Sequence, residues 1–166
     1  MEDLDFQPHK SKEEFRKNYK LHDLAEAHGK NLLIQWGIEF HEFGKDRRYE
    51  KVWEKGKDKP DLIISYKGKE ALLDWKGKHS AKWLMNERAY NAYLEWKLKL
   101  NFPVFITFFL FDEKDHLLDK RFAVIGLHQP KPSKEKEWDK NKTVEFTANL
   151  PAFTKSEFLK YLLGYL

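Results

Sequence analysis

Two short runs, 61–66 and 69–76, flank Lys67-Gly68, a dipeptide suited to a two-residue hairpin turn. Such a turn pairs Tyr66 with Lys69, and the pairs behind it follow in step until Asp61 lies directly across from Asp74. Opposed residues on one face of a sheet have Cβ atoms only about 4.5–5.5 Å apart. Lys76, two residues beyond Asp74, projects from that same face. A four-residue loop would keep this register and a three-residue loop would break it. Two facing carboxylates repel unless a cation, a proton or water stands between them. As hard oxygen donors they suit Mg²⁺ or Mn²⁺, ions that retain water and accept phosphate oxygens. A lysine beside them can hold or deprotonate an attacking water and offset charge on pentavalent phosphorus. The expected chemistry is metal-assisted hydrolysis of a phosphate ester. The competing reading is a surface hairpin whose Asp and Lys cap strand ends.

The flanking sequence must build a scaffold for this hairpin. A Ser11-x-x-Glu14 capping box predicts a short helix from Ser11 towards Lys20. A second helix is expected from Asp23, with Leu24, Ala25, Ala27, His28, Leu32, Leu33 and Trp36 as its apolar stripe and Gly37 as its stop. Strands are expected over 38–43 and 47–54. After the hairpin, Trp83, Leu84, Tyr90, Tyr93, Leu94 and Leu98 recur at helical spacing and predict a long helix over 79–99. Residues 103–111 are apolar on both faces, as in a central strand covered by helices. A turn at 111–115, a returning strand over 117–127, a loop over 129–142 and a strand over 143–148 should follow. Thr154-x-x-Glu157 opens a C-terminal helix.

Pro60-Asp61, twelve intervening residues and Asp74-Trp75-Lys76 resemble the motif of the PD-(D/E)xK, or restriction endonuclease-like, nuclease superfamily. Its members include type II restriction enzymes and archaeal Holliday junction resolvases, and the resolvases are the nearest in character. The motif is short, so the order of surrounding elements must supply its specificity. The family core runs helix, three antiparallel strands, helix, strand, and residues 23–111 can be read in that order. The resemblance implies an α/β restriction endonuclease-like domain spanning 1–166, with 112–166 as a C-terminal β/α extension. It implies that Asp61, Asp74 and the main-chain carbonyl of Trp75 bind the metal and that Lys76 acts on the water. Glu26 stands about three helical turns before Gly37, as a helical glutamate does in the resolvases, and becomes a fourth catalytic and metal-binding candidate. Glu39, Glu42 or Glu50 could supply that carboxylate instead. The implied activity is Mg²⁺- or Mn²⁺-dependent endonucleolytic hydrolysis of DNA, of a structure-specific repair or recombination type. The rivals are a non-catalytic nucleic-acid-binding module of the same fold and an unrelated α/β interaction protein.

Lys78, His79, Ser80 and Lys82 are nucleic-acid-binding candidates, since a helix N-terminus with nearby cations receives phosphate. An ordinary cap with exposed lysines reads equally well. Asn86 and Arg88 could approach the site from the same helix. Lys45, Arg47, Arg48, Lys51, Lys55, Lys57 and Lys59 make a plausible DNA-backbone surface, though interleaved acids also fit a plain solvated hairpin. Trp75, Trp83 and Trp96 invite base stacking, but core packing explains aromatics more often. Thirty-one Lys and Arg against 27 acids give a net charge of +4, mildly basic and compatible with DNA or RNA. The histidines lack zinc-type spacing, and neither a phosphate-binding glycine loop nor a nucleophile elbow is present. No apolar run approaches the ~20 residues of a membrane span. The absence of cysteine and of a signal-like N-terminus predicts a cytoplasmic protein. One site per chain cuts one strand, which makes a homodimer a natural guess.

Overall fold

The computed structural model describes residues 12–45, 58–136, 142–147 and 149–165. Helix α1 (Lys12–Gln35) runs without a break where the sequence predicts two helices. No Gly or Pro occurs between 12 and 28, so nothing in the backbone interrupts the hydrogen-bond ladder. Gly37 closes the helix at φ +75°, a conformation costly for any residue with a Cβ.

Strands β1 (Glu39–Glu42), β2 (Leu62–Tyr66) and β3 (Lys69–Lys78) form an antiparallel ribbon. A 3-10 turn, Phe43–Lys45, follows β1. After β4 (Leu84–Asn86) and helix α2 (Glu87–Leu100), β5 (Val104–Phe111) returns parallel to β3. Strand β6 (Leu117–Val124) completes a five-stranded sheet in the order β1-β2-β3-β5-β6. β7 (Lys131–Lys136) and β8 (Lys142–Glu145) join β4 in a second sheet, ordered β4-β8-β7. Helix α3 (Lys155–Lys160) continues into a π-helical turn, Tyr161–Tyr165. The architecture is mixed α/β, with three α-helices among the described residues. No helix in them is long and apolar enough to cross a membrane.

Three expectations change. The helix predicted from residue 79 begins only at Glu87, because Leu84, Met85 and Asn86 pair with Glu145, Val144 and Thr143 of β8. The loop predicted over 129–142 contains β7, whose Pro132 pairs with Val144. The return strand ends at Val124, where Gly126 at φ +89° turns the chain. The strand predicted over 47–54 lies outside the described residues, together with Glu50, Arg47, Arg48, Lys51, Lys55 and Lys57.

The large sheet separates two apolar layers. Leu21, Ala25 and Leu33 of α1 and Phe158 and Leu162 of the C-terminal helical segment cover one face, against Leu73, Trp75, Phe105 and Phe109. Tyr93, Trp96 and their neighbours on α2, with Val144 of β8, cover the other, against Leu72, Ile106 and Phe108. β5 is consequently buried on both faces, as its unbroken apolar run requires. Two glycines set how closely α1 approaches β3. A Cβ on Gly29 would fall 2.1 Å from the Trp75 ring, and one on Gly77 would fall 2.2 Å from the Leu21 carbonyl oxygen. Both positions exclude any side chain.

Candidate metal and phosphate site

Lys67 and Gly68 adopt φ +49° and +80°, the pair of positive values that a type I′ hairpin turn requires. Tyr66 pairs with Lys69 and Leu62 with Leu73, so the register inferred from the sequence is the register observed. Asp61 lies one residue ahead of β2, beside Asp74 of β3. Their carboxyl groups lie close enough for each to shift the titration of the other. Lys76 Nζ lies 3.2 Å from Asp74 Oδ2 on the same face. The hairpin thus brings Asp61, Asp74 and Lys76 together.

Asp74 is the only acidic residue buried among the described residues, at 4% exposure. Burial pushes its carboxyl up to about 7; the charge of Lys76 opposes the shift and that of Asp61 adds to it. Asp61 moves the other way. Burial acts to raise it, but hydrogen bonds from His22, Asp74 and the Trp75 main-chain N–H outweigh that effect and hold it below the usual carboxylate range. The N–H of Trp75 reaches Asp61 Oδ2 at 2.9 Å. Without a cation the pair therefore carries one charge readily and a second only against burial and repulsion. Thr107 on β5 donates to the Asp74 carbonyl at 2.8 Å and ties the centre of β3 to its parallel neighbour.

Helix α1 contributes a residue that the sequence reading passed over. His22 Nε2 lies 3.4 Å from Asp61 Oδ2, and this hydrogen bond is the main cause raising the imidazole above its ordinary value, against the opposing effect of burial. The available signal was helical spacing: His22 stands four residues before Glu26 and shares its face. Glu26 is ion-paired with Lys30 at 3.1 Å. Ligand atoms of His22, Asp23 and Glu26 all lie within 4.8 Å of one another, a group that includes neither Asp61 nor Asp74. Glu26 is therefore joined to the carboxylate pair by way of His22. Glu39 and Glu42 lie exposed on the edge strand β1.

An open cleft of about 480 Å³ extends from this point, lined by His22, Lys76, Lys78, His79, Ser80 and Lys82 among others. These residues do not sit at a helix N-terminus as expected. Lys78 ends β3, and His79, Ser80 and Lys82 lie in the connection to β4, where His79 Nδ1 is 3.2 Å from the Phe111 carbonyl. Asn86 caps α2 by backbone position, without a side-chain hydrogen bond to the helix. Arg88 engages Asp58 at 3.0 Å. Trp75 and Trp96 are fully buried and unavailable for base stacking, and Trp83 is half-buried against Phe108. Tyr93, counted only as part of an apolar stripe in the sequence, also faces the site. Burial, then the nearby Asp74 and Asp61, push its phenol well above the ordinary value.

The donor set fits a hard divalent cation. It offers a buried carboxylate beside a half-buried one, and an imidazole and further acids on the adjoining helix. No family model matches the chain, and no curated protein does. Among solved structures, the chain is similar to Hjc, a Holliday junction resolvase from the archaeal hyperthermophile Archaeoglobus fulgidus. The match has a TM-score of 0.46 at 9% identity and covers 73% of this chain and 85% of that one. This is a likeness of chain path alone, and the functional reading rests on the side chains.

Proposed function

We propose that the chain is a divalent-metal-dependent nuclease that hydrolyses DNA phosphodiester bonds, acting on structured DNA of the repair or recombination kind. The observation that carries the reading is the buried Asp74 carboxyl, held against Asp61 and within 3.2 Å of Lys76. A fold gains no stability from burying one acid against another, so the arrangement is explained by a ligand that needs both.

Asp61, Asp74 and the Trp75 carbonyl would hold the ion, Mg²⁺ or Mn²⁺, with His22 and Glu26 as further donors from α1. When bound, such an ion polarises the phosphoryl oxygen and lowers the pKa of a coordinated water. Lys76, as an ammonium, would orient the attacking water and offset the charge that builds on phosphorus. The Trp75 N–H and His22 fix one oxygen of Asp61, which leaves its other oxygen directed to the site. Lys78 and Lys82 in the cleft receive backbone phosphates on either side of the cut, with Ser80 and His79 as further donors.

The test is incubation of the full chain with supercoiled, linear, branched and single-stranded DNA in Mg²⁺, Mn²⁺ or EDTA, beside Asp74→Ala. Cutting should require the metal and fall about 10³-fold or more in the variant. Binding without cutting under every condition would instead favour a non-catalytic nucleic-acid-binding module.

A further inference from the structure

Helix α2 lays three ties across the segment that delivers Asp61. Arg88 Nε donates to Asp58 Oδ2 at 3.0 Å, and Trp96 Nε1 donates to the Asp58 carbonyl at 2.9 Å. The Tyr93 hydroxyl donates to the Lys59 carbonyl at 3.4 Å. Of these three side chains, Tyr93 is the one whose phenol also responds to the nearby Asp74 and Asp61 carboxyls, which add to burial in raising it. A single oxygen on α2 therefore holds the backbone two residues before Asp61 and lies in the field of the carboxyl pair.

Apolar packing accounts for the ring, which is 4% exposed in the layer between α2 and the sheet. It does not account for the oxygen, since a phenylalanine would fill nearly the same volume without bringing a polar atom to be desolvated. Asp61 itself lies outside the regular ladder of β2, so strand pairing does not fix it. Its own carbonyl accepts from the Phe43 N–H at 3.1 Å and its carboxylate from the Trp75 N–H at 2.9 Å.

We propose that Tyr93 is a positioning residue that sets where Asp61 stands relative to Asp74 through its hydrogen bond to the Lys59 carbonyl. The proposal rests on the reading of these carboxylates as the cation site. Such second contacts orient ligands rather than supply them, and their loss weakens a metal site without removing it. Tyr93→Phe deletes the oxygen and keeps the ring.

Mn²⁺ binding to the full chain without DNA, measured by titration calorimetry, tests the proposal. Wild type, Tyr93→Phe, Tyr90→Phe and Asp74→Ala are compared, with a thermal melt of each. Tyr90 is the control, a buried tyrosine of the same helix that packs against Phe146. Tyr93→Phe should raise the Mn²⁺ dissociation constant about 10-fold or more while Tyr90→Phe leaves it unchanged. The Mn²⁺ needed for half-maximal DNA cutting should shift by the same factor, with the saturated rate nearly preserved. A smaller folded fraction lowers the titration's stoichiometry but not its midpoint, so misfolding cannot imitate the result. The proposal is overturned if Tyr93→Phe lowers the melting temperature with no change in the dissociation constant, or if both tyrosine variants weaken binding alike. Should wild type and Asp74→Ala bind Mn²⁺ equally, or neither bind it, the cation-site reading itself fails, and the positioning role with it.

Discussion

Asp74 and Trp75 are consecutive residues of one strand, yet their side chains are held by opposite means. Trp75 stands on Gly29 with its ring 6.0 Å from that of Phe109 and 6.5 Å from that of Phe153, centroid to centroid. Shape alone fixes it. Asp74 points into the α2 layer beside Lys76, Asp61 and Tyr93, and charge fixes it. The pleat makes this possible, because alternate residues of a strand face different layers. One face builds a core indifferent to pH and ions, and the other builds a site that responds to both.

Trp75→Ala should break the shape-held face. It opens a cavity under α1 and should cost roughly 3–5 kcal/mol in urea or thermal unfolding. That loss should be nearly the same at pH 5 and pH 8; a strong pH dependence would mean that the two faces are coupled.

The charge-held face should show itself next, as a pH effect on the metal-free protein. Asp74 is raised from 3.8 to about 7 in the fold, so its contribution is fully present below about 3.8 and is lost as pH rises through 7. His22, raised above 6.5, adds a loss in the same direction at higher pH. Asp61 is lowered from 3.8, so its contribution is instead lost as pH falls through its folded value. Metal-free stability should therefore decline between about pH 4 and pH 8, by an amount of the order of a few kcal/mol. Mg²⁺ or Mn²⁺ should restore most of it at pH 8 and little at pH 5, since binding expels the Asp74 proton. A flat melting profile across this range would count against the buried pair.

The smallest effect sharpens the contrast by its sign. Asp74→Asn keeps the volume and removes the titrating charge, so at pH 8 it should stabilise the metal-free protein by roughly 1–2 kcal/mol while abolishing cutting. Thermal melts of the two proteins side by side decide this. Lower stability for the variant would mean that the ion pair with Lys76 outweighs the burial of the charge.

What the sequence disclosed follows from the range of the forces involved. The hairpin register was legible because it depends on Lys67, Gly68 and alternation, all within a few residues. The cap of α3 was legible for the same reason: Thr154 Oγ1 accepts from the Glu157 N–H. The start of α2 was not, because Leu84, Met85 and Asn86 are drawn into a strand by residues of β8 far along the chain. Helical periodicity at Trp83 and Leu84 could not register that competition. His22 and Tyr93 were missed on similar grounds, since each reaches Asp61 or its approach from a different helix and neither carries a local signature of doing so.

Gly77 bears directly on when the site comes into being. The two acids and the lysine can meet as soon as the hairpin closes, an event local to sixteen residues or so and fast on the folding timescale. His22 arrives only when the first helix docks on Gly77 with its Leu21 carbonyl pressed against the strand. A chain that has formed the hairpin but not this contact owns the motif without its full surroundings. Competence of the site is on this view a late property, acquired by the whole tertiary structure and withheld from its partly folded precursors.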